Sequence, residues 1–150
     1  MAKGQTFLAA ALLAAALPGC GGGGGSVTAP PVAPPSPVPV TTVVQEGTID
    51  GLPANNVVWG NFQTSQGGRL EVIIDWTSPG NNLDVFLTRG LCDPDQLLAA
   101  TCIVMGTAES PTAKPERVTV DGAVNGLFTL FVVNLGPGTE SFSYRILLTH

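Results

Sequence analysis

Histidine is almost missing from this 150-residue chain: there is one, His150, at the very end. Acid–base and nucleophilic chemistry near neutral pH leans on a positioned imidazole, so Ser-His-Asp and Cys-His mechanisms lose their central member and the sequence reads as non-enzymatic. Cations are scarce too, with six Lys and Arg against eleven Asp and Glu and a net charge of −5. Without a basic patch there is no counterion release to hold a phosphate backbone, which excludes nucleic acid as a partner. Charged residues of both signs make up 11%, well under the roughly 25% of an average soluble domain, so salt-bridge-laced helical surfaces are not expected. Long apolar runs are absent as well. The uncharged stretch from Phe7 to Leu17 would span about 16 Å as a helix, roughly half the hydrocarbon thickness of a bilayer, and no later segment is a candidate span.

That short run has another use. Lys3, the Ala/Leu stretch and Pro18-Gly19-Cys20 have the pattern of a signal peptide. Leu17-Pro18-Gly19-Cys20 resembles the bacterial lipobox. The resemblance implies cleavage after Gly19, leaving residues 1–19 as the signal peptide, and diacylglycerol attachment at Cys20. Gly21 rather than Asp after the Cys implies outer-membrane delivery, and a triacylated Cys supplies more than the two signals a stable anchor needs. The expected location is therefore the cell envelope, with the membrane contacted through the N-terminal lipid.

Residues 20–40 read as a tether. Gly21 to Ser26 is a glycine run ending in serine and Ala29 to Val40 is APPVAPPSPVPV. The first behaves as a flexible coil and the second as polyproline II, rising about 3.1 Å per residue.

Residues 41–150 carry the periodic patterns of one domain. In Arg69 to Trp76, Leu70, Val72, Ile74 and Trp76 share one parity against Glu71, Ile73 and Asp75, the mark of a half-buried strand. Leu83 to Thr88 and Ser141 to Thr149 alternate in the same way, while Leu127 to Leu135 is apolar on both parities, as a central strand covered on both faces is. Weaker strand patterns occupy Thr42 to Ile49, Val57 to Gln63, Thr101 to Met105 and Glu116 to Val120. About eight short strands divided by Gly, Pro and Asn turns predict an all-β antiparallel β-sandwich or jelly roll. The one helix-like interruption, Asp93 to Ala100, lies between Cys92 and Cys102. In an exported chain two cysteines ten positions apart predict a disulfide closing that excursion; a metal site would need further ligands and has no histidine nearby.

The segment G-R-L-E-V-I-I-D-W-T-S from Gly68, L-D-V-F-L at Leu83 to Leu87, G-L-F-T-L-F-V-V-N from Gly126 and S-F-S-Y-R-I-L-L-T from Ser141 resembles the bacterial pre-peptidase C-terminal domain, over most of residues 45–149. The resemblance implies a compact β-sandwich of a kind commonly appended to secreted proteases. Some members bind collagen or polysaccharide and some bind calcium. No catalytic domain accompanies it here, so no enzyme activity is carried over.

Among candidate site residues, Asp75 and Asp84 stand on consecutive strands and with Asn81-Asn82 offer some of the six to eight oxygens calcium takes, but no D-x-D-x-D-G loop occurs and no metal or other cofactor is assigned. Asp93 before Pro94 reads as a helix N-cap or as one of a carboxylate pair with Asp95. Trp76 has core parity. Phe86 has the Asp84 parity and Trp59 lies where parity does not decide its side, so these two are the candidate ligand-binding aromatics. The expected function is a lipid-anchored binding or adhesion module for a polysaccharide or an exported protein, or else an accessory subunit docking onto a secreted hydrolase, with an independent hydrolase using the aspartates as the third reading.

Overall fold

Each predicted strand segment overlaps a strand of the structure, although Thr101 and Cys102 lie before the strand Ile103–Ala108 rather than within it. The computed structural model describes residues 36–150; the expected signal peptide, Cys20 and most of the expected tether lie outside them. The eight strands are β1 (Thr41–Leu52), β2 (Asn56–Thr64), β3 (Gly68–Trp76), β4 (Leu83–Arg89), β5 (Ile103–Ala108), β6 (Glu116–Ala123), β7 (Gly126–Asn134) and β8 (Glu140–Thr149), with one short helix, α1 (Pro94–Leu98), between β4 and β5. The backbone ladder of β1 and β8 extends one pair further, Val40 and His150 exchanging both N–H···O bonds at 2.8 and 3.0 Å.

Two four-stranded antiparallel sheets form, in the orders β1-β8-β3-β6 (sheet A) and β2-β7-β4-β5 (sheet B). Every connection except β4 to β5 crosses from one sheet to the other, giving the two interlocked Greek keys of a jelly roll. Sheet A turns Leu70, Val72, Ile74, Val118, Ile146 and Leu148 inward, and sheet B meets them with Leu83, Val85, Leu87, Phe128 and Val132. Phe62 and Phe128, partners on β2 and β7, stack with ring centroids 5.5 Å apart.

β7 is central in sheet B and is buried on both faces: Phe128, Leu130 and Val132 enter the core, while Thr129 and Phe131 on the other parity are also fully covered. The excursion after β4 explains the cover at Thr129. Cys92 and Cys102 are joined as a disulfide with Cα atoms 6.0 Å apart, and the Cys92 N–H donates to Thr129 Oγ1 at 3.2 Å. The same hydroxyl lies 2.7 Å from Asn61 Oδ1 and 2.8 Å from the Gly90 carbonyl oxygen. Asp93 caps α1, accepting from the Gln96 N–H at 2.8 Å while Gln96 Oε1 accepts from the Asp93 N–H at 3.0 Å. This is a capping box with Pro94 in the first turn.

The two long sides of the sandwich differ. Where β5 meets β6, Gly106 lets the strands close: a Cβ there would sit 2.8 Å from Val118 Cγ1, and Met105 and Ala108 pack onto the core beside it. Where β1 meets β2 the seam carries a pocket lined by residues of both strands.

Candidate binding site

On the outer face of sheet B three aromatic residues stand in one cross-strand row. Trp59 on β2 pairs with Phe131 on β7, and Phe131 pairs with Phe86 on β4. Phe131 is fully buried, Phe86 half-buried and Trp59 49% exposed. Directly opposed residues on neighbouring strands have Cβ atoms about 5 Å apart, so the buried ring supports an aromatic on either side. Trp59 is thereby displayed on a strand rather than on a loop, which restricts its orientation. The next row along the strands is polar, with Asn61, Thr129 and Thr88 side by side.

The β1/β2 seam opens beside the same tryptophan. A pocket of about 90 Å³ enters the sandwich there. Its depth is apolar: Phe62, Leu130, Val132, Phe142 and Ile146, all buried core residues, line it, with the partly buried Ile49 and Val58 beside them. Gly60 shares the inward parity of Val58 and Phe62, and a Cβ built on it meets no atom within 4 Å. Gly60 lines the pocket without a side chain to obstruct its opening. At the mouth, Gln45 Nε2 donates to the Tyr144 hydroxyl at 3.0 Å, and the Tyr144 ring reaches that position because Gly47 leaves room for it, a Cβ there falling 2.9 Å from the hydroxyl oxygen.

Sheet A has a different outer face. A shallow hollow of about 580 Å³ lies over Ile73 and Asp75, bordered by arginines already engaged: Arg145 Nε lies 3.1 Å from Glu46 Oε2 and Arg117 2.8 Å from Glu71 Oε1.

The two aspartates do not come together. Asp75 faces outward on sheet A, opposite Ser143, and Asp84 outward on sheet B, opposite Val133. Asn81 serves the fold instead: its backbone oxygen accepts from Trp76 Nε1 at 3.1 Å, its Nδ2 donates to Glu140 at 2.8 Å and its Oδ1 accepts from the Gly138 N–H at 3.1 Å. Among the described residues no group of three or more His, Cys, Asp and Glu is arranged to hold a metal ion. Burial pushes the Asp84 carboxyl above its ordinary value, opposed by the hydrogen bond from Asn82 and reinforced by Glu109. Glu116 is raised for the same first reason, with Asp84 adding to it against the Ser110 N–H. Of the sequence candidates, Trp59 and Phe86 share one row. Phe131 between them, Gly60 and the Tyr144–Gln45 lip were not singled out; the apolar outward parity of β7 was the available signal for Phe131.

No protein-family model matches the chain and no curated protein matches it. Among solved structures it is similar to the Yersinia pseudotuberculosis-derived mitogen, with 14% identity and a TM-score of 0.45 over 74% of this chain and 87% of that one. It is also similar to the P-domain of Macrobrachium rosenbergii nodavirus, with 13% identity and a TM-score of 0.35 over 74% and 90%. Likenesses this loose carry no inference about function.

Proposed function

We propose that this is a non-enzymatic, lipid-anchored protein of the cell envelope, delivered to the outer membrane through Cys20, whose sandwich is a binding or adhesion module for a glycan or an exported protein. The observation that carries this reading is the row Trp59–Phe131–Phe86 on the outer face of sheet B. Sugar rings and peptide side chains both stack on displayed aromatic faces, and among the described residues Trp59 is the one large aromatic left half in solvent on a strand. The strand motifs resembling the pre-peptidase C-terminal domain support the same reading, since that resemblance implies polysaccharide- or collagen-binding relatives.

The test is retention on immobilised envelope polysaccharide and a pull-down from detergent-solubilised envelope, with wild type, Trp59→Ala and Phe86→Ala. Both substitutions should weaken retention about tenfold or more, the loss expected when a stacked ring is removed. Retention that ignores both, or turnover of the polymer, overturns the proposal.

A second reading, an accessory subunit docking onto a secreted hydrolase, is favoured by a different surface. Leu91 and Ile103 flank the disulfide, and with Leu98 on α1 and Val104 on β5 they are 46–86% exposed. Leu98→Glu with Ile103→Glu should abolish co-purification of such a hydrolase and leave Trp59-dependent retention intact.

A further inference from the structure

We propose that the edge of β2, which no strand among the described residues covers, and the pocket beside Gly60 together receive an extended peptide segment of an exported protein, added as a fifth strand of sheet B with one short aliphatic side chain in the pocket. Exposed edge strands are normally blunted by charge, Pro or bulges. β1 has register shifts at Val43/Gln45 and Ile49/Leu52 and carries Glu46 and Asp50. β5 shifts register against β4 between Leu87 and Thr88, and β6 carries Glu116, Arg117 and Asp121. β2 differs from all three. It runs from Asn56 to Thr64 in unbroken register against β7, with no charged residue and no Pro. Its outer N–H and C=O groups are the kind that recruit an added strand.

The side chains agree with the backbone. In an added strand every second residue points to the core side, so the guest residue opposite Gly60 faces the pocket and its neighbour lies on the outer face beside Trp59. At about 90 Å³ the pocket is smaller than the ~150 Å³ void that accepts benzene. It therefore suits a Val or Leu side chain and excludes Phe and Trp. The chain's net charge of −5 selects a neutral or basic segment over an acidic one.

This inference rests on the reading of the domain as a binding module but fails separately from it: glycan retention depends on Trp59 and Phe86, peptide capture on Gly60. The experiment uses the detergent-solubilised full chain and fluorescent peptides Lys-Thr-Thr-Thr-Xaa-Thr-Thr-Thr-Lys, with Xaa as Gly, Ala, Val, Leu, Phe or Trp as the one variable side chain, read by anisotropy. Val and Leu should bind about tenfold or more tighter than Gly, Ala, Phe and Trp. N-methylation of alternate peptide amides should abolish binding, and the β2 amides should gain hydrogen-exchange protection. Gly60→Leu should lose binding about tenfold or more with an unchanged melting curve. The peptide series decides the matter even if that variant folds poorly. Flat affinity across Xaa, no binding by any member, Gly60→Leu binding like wild type, or a dimer of the chain through β2 would each overturn the proposal.

Discussion

Replacing Glu140 by Gln changes one oxygen to an amide and should cost this domain a large part of its stability. Glu140 opens β8 and is 2% exposed. Its Oε1 accepts from the Thr77 hydroxyl at 2.9 Å, the Ser141 N–H at 3.1 Å and the Thr77 N–H at 3.3 Å, and its Oε2 from Asn81 Nδ2 at 2.8 Å and the Ser78 N–H at 3.2 Å. One carboxylate thus ties the whole β3–β4 turn to the start of β8. A Gln that keeps its oxygen at the Oε1 position turns its NH₂ toward two donors, Asn81 Nδ2 and the Ser78 N–H. Flipping Asn81 does not rescue the contact, because its Oδ1 already accepts from Gly138. Two hydrogen bonds to a charged acceptor at about 1.5 kcal/mol each give a loss of about 3 kcal/mol. In a domain of this size that is a fall of about 10–15 °C in the midpoint.

The pH dependence supplies a second readout. Burial alone would raise the Glu140 carboxyl, but the bonds from Asn81, Thr77 and Ser141 outweigh it and hold the group below its ordinary 4.5. A carboxylate with a depressed folded pKa contributes stability that is present above the unfolded value and is lost as pH falls through the folded one. The gap between wild type and Glu140→Gln should therefore be full at neutral pH and close as pH drops below 4.5. Thermal and urea unfolding followed by tryptophan fluorescence measure it directly, since Trp76 donates to the Asn81 carbonyl in the same turn. A neutral-pH loss under about 1 kcal/mol, or a gap that stays constant into acid, refutes the reasoning.

Asp84→Asn should act in the opposite sense: its carboxyl is raised by burial, so ionisation opposes folding, and the variant should melt higher at pH 7 and lose that advantage below 3.8. Equal melting curves at pH 7 would count against it. The double substitution Cys92→Ser, Cys102→Ser should cost about 3 kcal/mol from loop closure, seen in urea unfolding under non-reducing conditions. Cys20→Ser should abolish palmitate labelling and move the exported protein to the soluble fraction; unlabelled wild type would remove the lipid anchor.

Strand positions were legible because one face of nearly every strand is buried, and a period of two survives in the sequence when the two faces meet different surroundings. β3 shows this at its clearest, with Leu70, Val72 and Ile74 all at 0% exposure between outward Glu71, Ile73 and Asp75. β1 was read from Thr42 to Ile49 and not through its last three residues, where the register shift between Ile49 and Leu52 breaks the alternation. The excursion was legible from local chemistry alone, Asp93 before Pro94 and the two flanking cysteines. Sheet order was not, because it is set by pairings such as Thr41 with Thr149 that leave no local mark. Glu140 was invisible for the same reason: four of its five donors come from residues about sixty positions away.

The candidate site hid in a dipeptide. Trp59-Gly60 in a chain segment of unknown parity offers the ring as a candidate without fixing its side, and gives no reason to expect a pocket beside it. Once β2 is fixed against β7 in continuous register, with Trp59 opposite Phe131 and Gly60 opposite Leu130, strand geometry sends the ring to the outer face and the missing side chain to the inner one. A slip of one residue would exchange them, burying the indole at the seam and placing the glycine outside. Phe62 prevents that slip, since it must remain inward to stack on Phe128. The same core contact that stabilises the edge strand therefore also sets the ring and the gap side by side, on opposite faces of one strand, where a single added chain would touch both.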